Sequence, residues 1–376
     1  MKIAVAAETD AGEPRVAAVP ETVKKLIALG AVVAVMPGAG VKSGVPDAEY
    51  TAAGATVTSD ALNDADIVLL VRRPNPSELP RLKKGALVIA IMDPYGNDAA
   101  IKQMADAGLT AFAMELMPRI TRAQSMDVLS SQANLAGYRA VIDAAAEYGR
   151  ALPMMMTAAG AVPAAKAFVM GVGVAGLQAI ATARRLGAIV TATDVRPATK
   201  EQVESLGAKF VAVEDEEFKQ AETAGGYAKE MSDAYKAKQA ALVAAHIAKQ
   251  DIVIATALIP GRPAPRLVSA DMVKSMRAGS VIVDLAVERG GNCELARAGE
   301  VVVTDNGVRV VGDSSVTRLA ATASALYARN LYAFVETLID KAAKTIAVNW
   351  DDELVKATCL TRDGAIVHPN FQPKSA

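Results

Sequence analysis

Three glycines with the spacing G-x-G-x-x-G are the residues of this chain whose type and order most directly indicate chemistry. Gly171, Gly173 and Gly176 follow a short apolar run and precede a helical pattern. The first glycine of such a turn permits a tight bend, the second lets a pyrophosphate approach the backbone, and the third lets the helix lie close to the strand. The helix start then offers free N–H groups to phosphates. The pattern predicts a dinucleotide site; the alternative is a turn that only packs a helix on a sheet.

A carboxylate stands where the next strand should end, since the apolar run 188–193 leads into Asp194. At this point it accepts hydrogen bonds from both ribose hydroxyls of an adenosine and repels a 2′-phosphate, which favours NAD over NADP. Arg196 argues the other way, because an arginine there can receive a 2′-phosphate, but with Asp194 in front of it NAD remains the prediction. The cofactor-binding residues predicted in this stretch are Gly171, Gly173, Val174, Ala175, Gly176, Asp194, Val195 and Arg196.

The composition indicates an ordinary two-domain protein without a polyanionic partner. The chain has 376 residues and a net charge of −1, so no general attraction to nucleic acid or to an anionic membrane is expected. Cys293 and Cys359 are far apart and have neither a disulfide framework nor metal-ligand spacing. Met1 leads directly into a strand pattern, so no signal peptide is expected. The apolar stretch 151–183 contains prolines, a lysine and the glycine turn, and we interpret it as core rather than as a membrane span.

Apolar runs and helical patterns alternate along most of the chain. They predict an α/β protein with two Rossmann-like, doubly wound parallel-sheet domains, joined by long helices over about 129–148 and 317–344, with the NAD site in the cleft. The first domain would comprise residues 1–128 and 322–376, and the second, NAD-binding domain residues 129–321. Asp284, Leu285, Thr256 and Ala257 follow strand ends of the second domain and are secondary candidates, whose alternative is an ordinary strand end.

Motifs along essentially the whole chain resemble the alanine dehydrogenase/transhydrogenase family. The start, ETDAGEPRVAAVPETVKKLIALGAVV, is shared by both branches of that family, whereas RITRAQSMDVLSSQANLAGYRAV resembles the nicotinamide-holding loop of the transhydrogenase component. The glycine turn, AGGYAKEMS, TALIPGRPAP, DLAVERGGN and TCLTRDGAIVHP also fit. Within the family, the chain looks like the NAD(H)-binding component of a proton-translocating transhydrogenase, domain I, as the separate alpha-1 subunit.

The resemblance implies an oxidoreductase and translocase that works only with partner subunits. Domain I would pass a hydride from NADH to NADP⁺ held by a domain III subunit, and a membrane-spanning subunit would couple the transfer to proton translocation. A homodimer, a place on the cytoplasmic side of the inner membrane, no direct membrane insertion and no nucleic-acid partner are implied as well. Carried onto this sequence, the nicotinamide-side residues would be Arg119, Gln124, Asp127 and Ser130, and Tyr227 would lie in a loop that closes over the site.

These residue types suit a reaction whose chemistry belongs to the cofactors. Hydride transfer between two nicotinamides needs no protein acid or base, so the protein has to orient the rings. Gln124 and Ser130 can hydrogen-bond a carboxamide, and Arg119 and Asp127 can pair, fix the loop and polarise the ring. The alternatives are a structural ion pair of Arg119 and Asp127 with Ser130 as the N-cap of a helix, and an aromatic anchor role for Tyr227.

Two competing functions can be tested against the same residues. An alanine dehydrogenase needs a carboxylate clamp and a general acid/base. Arg15 and Arg72 or Arg73 stand near the positions that this branch uses, but Asp93 follows the strand where its catalytic histidine should be, and the first domain has no histidine. Arg15 then has a structural ion pair as its expected role. The other alternative is an NAD-sensing module without turnover, which an NADP-binding partner would distinguish.

Overall fold

The computed structural model describes residues 1–220, 231–259 and 261–372. The chain forms two compact units, Met1–Gln132 together with Leu319–Ala376, and Ala133–Arg318. Within the described ranges, none of the helices combines the length and the apolar character that crossing a membrane requires. The predicted α/β class with two parallel-sheet domains is confirmed.

Strands and helices alternate through both units. The strands are β1 (Lys2–Val5), β2 (Val32–Val35), β3 (Thr56–Val57), β4 (Ile67–Arg72), β5 (Leu87–Ile91), β6 (Thr110–Ala113), β7 (Met155–Thr157), β8 (Gly160–Val162), β9 (Lys166–Met170), β10 (Ile189–Thr193), β11 (Lys209–Phe210), β12 (Ile252–Ala255), β13 (Val281–Asp284), β14 (Val301–Val303), β15 (Arg309–Val311), β16 (Ile339–Asp340), β17 (Thr345–Ile346), β18 (Cys359–Arg362) and β19 (Ala365–Ile366). The helices are α1 (Pro20–Ala28), α2 (Asp47–Ala52), α3 (Asp98–Asp106), α4 (Val128–Glu147), α5 (Val174–Arg185), α6 (Thr199–Ser205), α7 (Glu216–Lys219), α8 (Asp233–Ile247), α9 (Ala270–Ser275), α10 (Ala320–Thr337) and α11 (Glu353–Thr358).

The first unit is built on a sheet with the strand order β19-β18-β6-β5-β4-β1-β2-β3. The strands from β6 to β3 are parallel, and β18 and β19 extend the sheet in antiparallel pairing. Parallel strands are covered on both faces, which explains why β1, β4 and β5 have nearly continuous apolar sequences. Helix α10 packs on one face: the Phe334 ring meets the edge of Phe112, and the Tyr327 hydroxyl donates to the Leu70 carbonyl at 2.9 Å.

The second unit has the strand order β11-β10-β9-β12-β13-β15-β14, in which only β14 is antiparallel to its neighbour. Counted from β9, the parallel strands stand in the order third, second, first, fourth, fifth, sixth. The order reverses between β9 and β12, and in open α/β sheets ligands bind outside the carboxyl ends of the strands at such a reversal. The glycine turn follows β9 directly, so the fold brings it to this position.

Two predicted segments differ in the structure. The helix predicted over 317–344 ends at Thr337, because the Asp340 carboxylate accepts the N–H groups of Ala342 and Ala343 and turns the chain into the β16–β17 pair. The segment after α4, which the sequence indicates as a loop, forms a two-stranded hairpin of β7 and β8, separate from both large sheets.

Candidate functional site

The glycine turn has the geometry that its spacing predicts. Gly171 has a φ of +96°, and a Cβ there would lie 2.8 Å from the Thr256 hydroxyl oxygen. A Cβ on Gly176 would lie only 1.9 Å from the Gly171 carbonyl oxygen. Both positions therefore require glycine: one for a left-handed bend, the other because α5 starts directly against the turn.

The start of α5 carries the features of an anion-binding helix terminus. Gly173 is its N-cap and makes no side-chain cap, and a Cβ built on it would meet no atom within 4 Å. Val174 and Ala175 are the first helical residues, and their N–H groups have no partner within the helix. Free N–H groups, the helix dipole and an unobstructed approach over Gly173 together fit a pyrophosphate.

Asp194 closes β10 and is hydrogen-bonded throughout. Its Oδ2 accepts the Val172 N–H at 2.7 Å and Arg196 Nη2 at 3.0 Å, and its Oδ1 accepts Arg196 N and Nε at 2.9 Å each. These donors use the acceptor capacity of both oxygens. A ribose hydroxyl reaches the carboxylate only by replacing a guanidinium donor or sharing an oxygen with it. Val195 lies between the two charged residues and is exposed.

The secondary candidates have structural partners at neighbouring strand ends. The Thr256 hydroxyl donates to the Gly171 carbonyl at 3.0 Å and so holds the turn. Asp284 is fully buried and accepts the N–H groups of Ala286 and Cys293 at 2.8 Å each, and burial raises the pKa of its carboxyl. The structure therefore gives Asp284 the role of a turn-forming acceptor, which was the alternative to ligand binding. Leu285 is partly buried.

Asn292 is a supporting residue that the sequence did not single out. It is fully buried, its Oδ1 accepts the Ala257 N–H at 3.0 Å, and its Nδ2 donates to the carbonyls of Ala257 and Pro265 at 2.9 and 2.8 Å. This amide fixes the backbone that follows β12, next to the glycine turn. An asparagine directly after the Gly290-Gly291 pair was the available signal.

Gly137 is a second residue that sequence reasoning missed. It lies in α4, and a Cβ there would stand 2.0 Å from the Ala175 carbonyl oxygen. Real Cβ atoms do not approach an oxygen so closely, so this glycine allows α4 to touch the first turn of α5. A glycine inside a helix costs about 1 kcal/mol relative to alanine, and that unfavourable choice was the signal of a packing role.

In the first unit, the 3₁₀ turn Thr121–Met126 and the start of α4 carry the nicotinamide-side candidates. Asp127 caps α4, accepting the Ser130 N–H at 2.9 Å on Oδ1 and the Ser130 hydroxyl at 2.5 Å on Oδ2. Gln124 and Arg119 are exposed. Both are among the described residues, and no ion pair joins Arg119 to Asp127 there, so the predicted pairing is wrong. Asp127 rather than Ser130 is the N-cap, as its carboxylate geometry favours.

Tyr227, predicted to lie in a closing loop, is outside the residues that the structure describes. Its role remains a prediction.

Arg15 forms the structural ion pair expected for it. Its Nη2 lies 2.6 Å from Glu13 Oε2, its Nη1 donates to Gln132 Oε1 at 2.8 Å, and both charged side chains are buried. Burial alone would raise the pKa of Glu13, but the hydrogen bond and charge of Arg15 lower it below its ordinary value. Asp93, which stands in the place of the missing histidine, has a φ of +47°, and its carbonyl accepts Arg73 Nη1 at 3.1 Å.

The strand order, the glycine turn and the carboxylate at the end of β10 define a nicotinamide-nucleotide-binding α/β protein. Family models agree: residues 4–136 match "Alanine dehydrogenase/PNT, N-terminal domain" and residues 140–369 match "Alanine dehydrogenase/PNT, C-terminal domain". The chain belongs to the alanine dehydrogenase/PNT family, and the resemblance seen in the sequence is confirmed.

Relatives distinguish the two branches of the family. The chain is 56% identical to an NAD(P) transhydrogenase subunit alpha of Rhodospirillum rubrum, over 100% of each chain. A transhydrogenase structure from Sinorhizobium meliloti is 63% identical, with a TM-score of 0.90, and the match covers 98% of this chain and 100% of that one. The alanine dehydrogenase of Mycobacterium tuberculosis is 30% identical over 79% of this chain and 75% of its own length. The high-identity homologues are thus transhydrogenase alpha subunits, and alanine dehydrogenase is a distant relative.

Proposed function

We propose that this chain is the NAD(H)-binding subunit of a proton-translocating transhydrogenase, which donates a hydride from NADH to NADP⁺ on a partner subunit. The observation that carries the proposal against amino-acid oxidation is the placement of both histidines. His246 Nε2 lies 2.8 Å from the Thr191 hydroxyl and its ring packs on Phe168, whereas His368 Nε2 lies 3.1 Å from the Ala357 carbonyl oxygen. Burial lowers both pKa values. Neither ring is free to act as an acid or base.

In this proposal the chain binds and orients, and the nicotinamide supplies the hydride when bound. The glycine turn and the α5 terminus hold the pyrophosphate, and Asp194 holds the adenosine ribose. Gln124, Asp127 and Ser130 orient the nicotinamide, and Arg119, which is exposed, is available to the ring or to a partner. Support comes from the cap that fixes Asp127 and Ser130 relative to each other.

Binding and turnover of the purified chain test this function. NADH should bind in preference to NADPH, and L-alanine with NAD⁺ should give no NADH. Alanine-dependent NADH formation would mean that Asp93 or another group replaces the histidine, and the alanine dehydrogenase interpretation would then be correct.

Asp194→Ala is expected to weaken NADH binding about tenfold and to reduce the preference over NADPH, because charge-assisted hydrogen bonds to the ribose are lost. Fluorescence titration with both nucleotides measures this. Asp251→Asn is the matched control: Asp251 is buried, accepts the Lys166 N–H at 2.8 Å and pairs with Arg277, but at the amino ends of the strands. Unchanged affinities in Asp194→Ala would remove this residue from the site.

We assign partner subunits and an assembly to the chain as part of the same proposal: an NADP-binding domain III subunit, a membrane-spanning subunit that places the protein on the cytoplasmic side of the membrane, and a second copy of this chain. The hairpin of β7 and β8 supports the dimer. Met154, Met155 and Met156 are 62%, 40% and 73% exposed, and residues 151–165 carry no charge. A lone two-stranded hairpin is marginally stable in water, so a covering surface is expected, and charge-free apolar surface is typical of permanent homodimers.

Met156→Asp is expected to shift the protein from dimer to monomer at micromolar concentration, because a charge would be placed in the apolar contact. Light scattering after size exclusion measures the mass. Val303→Asp in β14, where the side chain is 62% exposed, is the control and should leave the mass unchanged. An equally dimeric Met156→Asp protein would exclude the hairpin from the interface.

A further inference from the structure

We propose that Asn330 of α10 is a positioning residue for hydride transfer, because its side-chain amide fixes the segment that carries Gln124, Asp127 and Ser130. The inference rests on the function proposed above. Asn330 is 8% exposed, its Nδ2 donates to the Ser125 carbonyl at 2.8 Å, and its Oδ1 accepts the Ser131 hydroxyl at 2.7 Å.

The two contacts lie on either side of the cap. Ser125 is near the end of the 3₁₀ turn, Ser131 is in the first turn of α4, and Asp127 is between them. A backbone carbonyl only accepts hydrogen bonds, so the amide must turn its NH₂ group toward Ser125, and its oxygen then faces Ser131. One side chain thereby fixes both the turn and the helix start in a single arrangement.

The segment has little else to hold its polar side in place. Ala123, Met126 and Val128 bury apolar side chains in the core of the first unit. Within the turn, the Asp127 N–H to Gln124 carbonyl contact is long, at 3.5 Å. Apolar burial fixes the depth of the segment but is not directional, so the orientation of its polar residues depends on hydrogen bonds.

A second connection is weaker than the one through Asn330. Arg122 binds the Asp352 carboxylate with both terminal nitrogens, at 2.8 and 2.6 Å. Its side chain is half exposed, and exposed ion pairs contribute about 0–1 kcal/mol. A buried amide that loses a partner leaves unsatisfied polar groups, which costs about 1–3 kcal/mol. The buried amide is therefore the anchor whose loss should move the segment.

Asn330→Asp tests this role without a change in side-chain volume. The variant keeps an acceptor for Ser131 but sets a carboxylate oxygen against the Ser125 carbonyl. We expect hydride transfer to an NADP⁺-loaded domain III subunit to fall roughly tenfold, since small displacements of reacting groups are costly. The dissociation constant of NADH should stay within about twofold of wild type, because the glycine turn and Asp194 belong to the second unit.

Two further measurements separate positioning from a general loss of structure. With NADH deuterated at the reactive carbon, the isotope effect on turnover should rise in Asn330→Asp as transfer becomes slower. Hydrogen exchange of residues 121–131 should accelerate. Ser324→Ala is the matched control: Ser324 is buried in the same helix but binds the Val16 N–H at 3.0 Å and the Ser43 hydroxyl at 2.8 Å. It should change neither quantity.

Unchanged exchange of residues 121–131 in Asn330→Asp would overturn the inference whether or not the chain is a transhydrogenase. A parallel loss of NADH affinity and transfer rate, with no rise in the isotope effect, would also overturn it, because it would show a merely structural role. Failure of the wild-type chain to transfer hydride would instead contradict the proposed function.

Discussion

Asp127→Asn is expected to slow hydride transfer about 10²-fold while NADH binding is nearly unchanged, because it removes a preorganised negative charge from the ring that becomes cationic. The structure makes this substitution clean. Asp127 Oδ1 accepts the Ser130 N–H at 2.9 Å, and the amide oxygen of asparagine can make the same cap. Stopped-flow transfer to an NADP⁺-loaded domain III subunit measures the rate, and equilibrium titration measures NADH affinity.

Asp127→Ala is the comparison that separates charge from helix capping. It removes the cap as well, which costs about 1 kcal/mol of stability, and it should therefore lower the melting temperature where Asp127→Asn does not. If NADH affinity and transfer rate fall by the same factor in Asp127→Asn, the residue binds rather than orients, and its assigned role is wrong.

Gly137→Ala is expected to have the largest effect on NADH binding. The added methyl group would lie 2.0 Å from the Ala175 carbonyl oxygen, so either α4 or the first turn of α5 must move. Overpacking of this kind costs about 1–3 kcal/mol. The N–H groups of that turn are the proposed pyrophosphate donors, and we expect NADH affinity to fall at least about tenfold together with the melting temperature.

Gly12→Ala provides the control for the Gly137 substitution. The nearest atom to a Cβ on Gly12 is Asp10 Oδ1 at 3.4 Å, an ordinary contact distance, and the position is exposed. It should leave NADH affinity and melting temperature unchanged. An identical result for Gly137→Ala would show that the contact between α4 and α5 does not position the turn.

The features of the site that the sequence predicts are those that local pattern determines. The G-x-G-x-x-G turn and its adjoining strand and helix are contiguous, and each glycine is required by a neighbour within the same stretch or at the next strand end. The class of each sheet followed from the alternation of apolar runs and helices. Arg15 was correctly expected in an ion pair because it has no histidine to work with.

Other features depend on contacts between distant residues. Asn330 acts on Ser125 and Ser131, about two hundred positions away, and nothing in the α10 sequence indicates which loop its amide meets. Strand β18 joins the first sheet beside β6 from the end of the chain. The expected pairing of Arg119 with Asp127 failed because the carboxylate is already occupied by Ser130, a local contact that competes with the ion pair.

The measurement that tests the central claim most directly follows the label itself. The purified chain is mixed with NADH deuterated at the reactive carbon and with an NADP⁺-loaded domain III subunit, and the NADPH formed is analysed by mass spectrometry. The account predicts deuterated NADPH that appears only when both proteins are present. Normal NADH binding with no deuterium in NADPH would contradict hydride transfer and favour an NAD-sensing role.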